Sequence, residues 1–138
     1  MTVRDCQDSM KEFHFIPKHE NLLAVLLDHN LAALGDAYVN FVYSLALSEK
    51  QCKPVGKKVD SSILAAAVRK AGLRARLPSR TDRHKQADAA EALIVYAWLM
   101  GVVSLDEAVQ IIVKEENLEE AFSTLLRSIE ERLKIEKT

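Results

Sequence analysis

The sequence predicts an all-α domain, and three observations carry that prediction. Apolar residues recur at helical spacing along most of the 138 residues, with no convincing alternating strand pattern. Glycine and proline are scarce, at four and three. Apolar residues make up 49% of the chain, enough for a real core in one domain of this length.

The elements follow in order. Residues 3–13 predict a short first helix ahead of Pro17. From Lys18 the chain reads as one long helix or as two, with a break near Asp28, His29 and Asn30. Residues 51–60, QCKPVGKKVD, hold Pro54 and Gly56 and predict a loop. Asp60 or Ser61 is placed to cap the next helix, SSILAAAVRKAG, which Gly72 ends. Residues 74–83, RARLPSRTDR, predict a basic loop around Pro78. The stretch QADAAEALIVYAWLMG is apolar almost all round, so it belongs at the centre of the core, with Gly101 as its stop. Ser104 with Glu107, and Asn117 with Glu120, have the spacing of helix-start signals and open the last two helices. In the final helix Leu118, Phe122, Leu125, Leu126, Ile129 and Leu133 form an i, i+3/i+4 stripe. The sum is about six or seven helices in one domain over residues 1–138, with no appended second domain.

Charge is unevenly distributed. The formal net charge is −1, yet residues 50–85 hold 11 Lys and Arg against two acids, for +9, and the remainder is −10. Such a segment is a candidate phosphate-binding surface, with Lys57, Lys58, Arg74, Arg76, Arg80, Arg83 and Lys85 as its carriers. The bland alternative is a solvated loop whose charges pair with the acidic remainder. Cys6 and Cys52 form no CxxC pair and no Cys/His cluster, so both read as free thiols of a reducing cytoplasm. The N-terminal MTVRDCQDSMKEF has charges where a signal peptide needs an apolar stretch. The uncharged run over residues 92–105 is shorter than the roughly 20 residues that span a bilayer. The expectation is a cytoplasmic protein with no membrane partner. His14, His19, His29 and His84 have no metal-binding spacing, and Tyr38, Tyr43, Tyr96 and Trp98 read as core residues.

Two stretches break the rule for a core. Gly35 and Asp36 stand side by side within an apolar helix, although glycine weakens a helix interior by roughly 1 kcal/mol and a buried unpaired charge is costly. Asp88 and Glu91 lie three apart at the start of the most apolar helix, so they point the same way. Taken alone, that pair is common and better explained by acids meeting a helix dipole. Asp36 has no such explanation: Ala32, Asp36 and Asn40 share one small, polar face. Like charges this close repel unless a cation lies between them or one is protonated. Mg²⁺ satisfies such a site with one or two carboxylates plus waters and phosphates. Asp36 facing Asp88 and Glu91 would support metal-assisted attack of water on a phosphodiester.

These residues resemble the ribonuclease III family. Its signature helix runs roughly E-R-L-E-F-L-G-D-A, matched here by Leu31, Leu34, Gly35, Asp36 and Ala37. Its second motif runs approximately A-D-x-x-E-A-L-I-G-A, matched by Ala87, Asp88, Glu91, Ala92, Leu93 and Ile94. The resemblance implies a dimer-forming, all-α endonuclease domain that cleaves double-stranded or structured RNA with Mg²⁺, or with Mn²⁺, as cofactor. It implies Asp36, Asp88 and Glu91 as catalytic, metal-binding carboxylates, and 5′-phosphate and 3′-hydroxyl ends as products. Ala32 stands where the family carries a glutamate, Ala33 where it carries phenylalanine, and Asn30 where it carries a basic residue. These departures are similar in style to the Mini-III branch, a nuclease domain alone that acts in ribosomal RNA maturation. Asp88 is unusual for that branch and points to a related small prokaryotic or archaeal subgroup. With one carboxylate of four replaced by Ala32, the alternative is an RNA-binding or structural dimer of the same fold, impaired in chemistry. Asp28 could compensate only if its helix is continuous with that of Asp36.

Overall fold

A computed structural model describes residues 13–137. The helix expected over residues 3–13 and the thiol of Cys6 fall outside the described residues, Phe13 excepted. Six α-helices follow: α1 (Leu22–Leu26), α2 (His29–Gln51), α3 (Ser61–Lys70), α4 (Arg83–Leu99), α5 (Leu105–Lys114) and α6 (Leu118–Arg132). A 3-10 turn, Leu73–Arg76, occupies the start of what the sequence predicts as a basic loop. Among the described residues there is no strand, only one isolated parallel bridge between Asn21 and Glu136. Through it the Leu22 N–H donates to the Glu136 carbonyl at 2.7 Å, tying the C-terminal end to the start of α1.

The open question at Asp28 is settled in favour of two helices. Asp28 is the N-cap of α2, its carboxylate accepting from the Leu31 N–H at 2.9 Å. The other carboxylate oxygen takes the His19 ring nitrogen at 2.8 Å. Burial opposes the Asp28 charge, but those contacts outweigh it and hold its carboxyl below the ordinary value. An aspartate bound from both sides cannot continue a helix, so the chain turns there.

The remaining boundaries have local causes. Asp60 caps α3 through the Ser62 N–H, and Gly72 follows that helix in the left-handed region at φ +82°. Helix α4 begins at Arg83, three residues before the predicted start, because Asp82 caps it through the Lys85 N–H. Ser104 and Asn117 cap α5 and α6 through the N–H groups of Glu107 and Glu120. Their acids reach to other helices instead of back to the caps: Glu107 pairs with Arg132 on α6 and Glu120 with Lys70 on α3.

Helix α4 touches α1, α2, α3 and α6. Ala87, Ala89, Ala90 and every residue from Glu91 to Ala97 are buried, which is why its sequence is apolar almost all round. The stripe on α6 is buried at Phe122, Leu125, Leu126 and Ile129, and truncating Phe122 to alanine should cost about 3–5 kcal/mol. Tyr38 and Tyr96 are buried, Tyr43 and Trp98 half-buried, and Tyr38 stacks on Trp98 with ring centroids 4.8 Å apart. Helix α2 is long and apolar enough to cross a membrane by length and composition. In this fold its apolar side packs against α4 and α5.

Candidate metal and nucleic-acid site

The site is made by the crossing of α2 and α4. Along α2, Leu31, Ala32, Gly35, Tyr38, Val39, Val42 and Ala46 turn inward at helical spacing. Gly35 meets α4 at the backbone: a Cβ built there would overlap the carbonyl carbon and oxygen of Glu91. Only glycine permits that approach, which accounts for its place in a helix interior.

The approach sets Asp36 beside Glu91. Asp36 is exposed, and its Oδ1 accepts from the Asn40 amide at 3.2 Å. Asn40 is itself fixed, its Oδ1 accepting from the Val59 N–H at 2.8 Å. Glu91 is 8% exposed. Burial pushes its carboxyl up to about 8, aided by a hydrogen bond with Asp36, then by the charge of Asp36 and finally that of Asp88. None of the ion pairs among the described residues involves these three acids.

The expected convergence is therefore partial. Asp36 and Glu91 meet, while Asp88, half-buried one turn earlier on α4, acts on Glu91 through charge alone. Among the described residues no three His, Cys, Asp or Glu side chains close into one metal-binding group. With its proton held, the Glu91 carboxyl shares a hydrogen bond with Asp36, which relieves the like charge of the pair. Two hard oxygen donors, one exposed and one with its proton held near neutral pH, fit Mg²⁺, which takes one or two carboxylates and keeps several waters.

The basic residues divide into two sets. Arg74 donates to the carbonyls of Pro78 at 3.1 Å and Ser79 at 2.7 Å, so its guanidinium braces the 78–81 loop. Arg76 pairs with Glu130 at 2.6 Å and donates to the Lys137 carbonyl. Lys57, Lys58, Arg80, Arg83 and Lys85 are exposed and none of their side chains makes a hydrogen bond. Arg83 acts on Asp60, the cap of α3. The loop carrying Lys57 and Lys58 lies along α2, where Ser44 Oγ accepts the Lys57 N–H at 2.9 Å, two turns beyond Asp36. Arg80 and Lys85 line a pocket with Asp28, Ala32 and Asp88. Sequence reasoning missed this pocket, and Ala32, a small residue at the start of the Ala32–Asp36–Asn40 face, was its available signal.

The family model for Ribonuclease III matches residues 29–135. That span runs from the first residue of α2 through all of α6 and contains both carboxylate motifs. No curated protein matches the chain.

Proposed function

The chain belongs to the ribonuclease III family, and from that premise we propose that it is a Mg²⁺-dependent endoribonuclease that hydrolyses double-stranded or structured RNA. The observation that carries the reading is the meeting of Asp36 and Glu91 at the Gly35 crossing. Asp36 and Glu91 would hold the ion, Mg²⁺ or Mn²⁺, with Asp88 adding charge from the preceding turn. The bound ion supplies a water of lowered pKa and neutralises the leaving oxygen. The chain's own residues prepare for this. Asn40 fixes one oxygen of Asp36. Glu91 gives up its proton to accept a cation. Lys57, Lys58 and Arg83, with Arg80 and Lys85 beside Asp88, would meet the phosphates of the strand. Water adds to phosphorus as the P–O3′ bond breaks, leaving 5′-phosphate and 3′-hydroxyl ends.

The working unit is a homodimer in the cytoplasm. Leu34 and Phe41 on α2, Met100 after α4, and Phe13 and Phe15 are all exposed, and they give a second copy apolar surface to cover. The resemblance to the Mini-III style makes structured ribosomal RNA the first substrate to try. Cleavage of a defined RNA duplex with Mg²⁺ tests the reading. Wild type should cut, and Asp36→Asn and Glu91→Gln should not; a wild type inert on all structured RNAs, or variants that cut equally well, would overturn it.

One observation favours a second reading, an RNA-binding dimer without chemistry. Asp28, the candidate for a fourth carboxylate that the sequence offered, is committed to the Leu31 N–H and to His19. Retained RNA affinity with no binding of Mg²⁺ or Mn²⁺ would select this alternative.

A further inference from the structure

One face of α2 carries a row of polar residues a turn apart: Asp36, Asn40, Ser44 and Ser48. Three of them hold the loop that follows the helix. Ser48 Oγ accepts the Val55 N–H at 2.8 Å, Ser44 Oγ accepts the Lys57 N–H at 2.9 Å, and Asn40 Oδ1 accepts the Val59 N–H at 2.8 Å. Ser44 Oγ also donates to the Lys57 carbonyl at 3.0 Å. The two spacings match. Four helix residues rise about 6 Å, and two residues of extended chain advance about 6.6 Å. Residues 55–59 therefore run back along α2 with alternate N–H groups turned onto it and with Val55 and Val59 half-buried.

The remaining residue of the row, Asp36, is the exposed carboxylate of the candidate cation site. A backbone N–H can only donate, so the Asn40 amide must give its oxygen to Val59 and its NH₂ to Asp36. That NH₂ lies 3.2 Å from Asp36 Oδ1. Asn40 thus bonds the loop with one end of a planar group and Asp36 with the other. A shift of the loop at Val59 moves the donor at Asp36 with it. Ser44 and Ser48 differ: their hydroxyls bond the loop and α2 itself, not Asp36.

We propose that Asn40 is a positioning residue that links the 55–59 loop to the cation site: the loop clamped on α2 holds Asp36 ready for the ion, and an ion on Asp36 holds the loop. The link between loop and carboxylate stands on the geometry alone; its effect on the ion rests on the cation reading above. A donor bonded to a metal-binding carboxylate orients it and raises its hold on the ion. Linkage is reciprocal, so the factor that the clamped loop adds to cation affinity is the factor by which the cation steadies the loop. Because the loop carries Lys57 and Lys58, whatever steadies those lysines would tighten the ion as well.

Amide exchange in metal-free protein tests the link first. Asp36→Ala removes the acceptor of the Asn40 NH₂, and the Val59 amide should then exchange about threefold faster while that of Val55 keeps its rate. Calorimetric titration of Mg²⁺ tests the consequence. Asn40→Ala should weaken binding about tenfold. Ser44→Ala, two turns from Asp36, should weaken it about two- to threefold and add nothing in the Asn40→Ala background, where the link is already cut. Ser44→Thr keeps the hydroxyl and should bind as wild type does. Should Asn40→Ala fail to fold, Ser44→Ala against Ser44→Thr decides alone. An unchanged Val59 rate in Asp36→Ala, an unchanged affinity in Ser44→Ala, or a Ser44→Ala loss undiminished in the Asn40→Ala background overturns the proposal. A faster Val59 amide in Asp36→Ala, beside a wild type that binds neither Mg²⁺ nor Mn²⁺, supports the loop link and overturns the cation reading instead.

Discussion

Where α6 packs on α3 and α5, acids find cations; where α2 crosses α4, acids find acids. In the first region Glu120 meets Lys70, Glu107 meets Arg132 and Glu130 meets Arg76 across the helix boundaries. In the second, Glu91 is buried against Asp36 with Asp88 one turn away, and no ion pair relieves them. Three ion pairs thus tie α6 to its neighbours, whereas the crossing has none among the described residues. It keeps its acids unpaired and accepts a raised carboxyl as the cost. The raised Glu91 carboxyl, with no cation paired to it, is the observation on which the proposed cation site rests.

The comparison breaks first under substitution at the crossing. Glu91→Gln or Asp36→Asn should lower the rate of duplex cleavage by on the order of 10²–10⁴, because either removes an oxygen charge that the ion needs. A milder loss in Glu91→Gln than in a scaffold change such as Glu130→Gln would dissolve the distinction between the regions.

Stability against pH sharpens it next. The Glu91 carboxyl is raised from 4.5 to about 8 in the folded chain. Between those values the folded state keeps a proton that the unfolded state has lost. Stability should therefore fall as pH rises from about 4.5 to about 8, by on the order of 2–4 kcal/mol, and then level off. Denaturant melts of wild type and Glu91→Gln check this. The two should agree near pH 4.5 and diverge by pH 8, with the glutamine variant more stable; parallel curves would remove the buried acid from the account.

Gly35→Ala probes the backbone approach that creates the site. Alanine gains about 1 kcal/mol of helix propensity but drives a Cβ into the Glu91 carbonyl. Overpacking against backbone should win, for a net loss of about 2 kcal/mol, read by thermal or denaturant unfolding. A stabilised Gly35→Ala would mean that the helices part without cost.

The smallest effects separate the two kinds of basic residue. Neutralising Lys57 or Lys58 to glutamine should reduce the salt dependence of RNA binding by about one phosphate contact each. Arg76→Gln should leave that slope unchanged, since its guanidinium is held by Glu130 and the Lys137 carbonyl.

The contrast also explains what could be read from the sequence. Helix α4 was legible because burial on all sides demands an apolar run. The caps at Ser104 and Asn117 were legible because their chemistry is local. Asp36 and Gly35 were legible as violations: each costs a helix something, so each needed a reason. What escaped is what depends on distant partners. The break at Asp28 was one of two open alternatives; its cap is local, but the His19 contact that joins it comes from nine residues away. Arg74 and Arg76 looked identical to Arg80, yet the first two are used by the fold and the third is not. The early start of α4 lay with Asp82, a cap hidden inside a basic stretch. The pocket at Ala32 is a property of three segments meeting: the small residue on α2 hints at room, but the other two walls are not legible from that helix.

The central claim is that Glu91 and Asp36 form a divalent-cation site whose occupation displaces a proton. Calorimetric titration of Mg²⁺ near pH 7, repeated in buffers of different ionisation enthalpy, measures the binding and the proton release together. The account predicts close to one proton released per ion bound by wild type, and no comparable binding by Glu91→Gln. Binding without proton release, or equal affinity in Glu91→Gln, would contradict it.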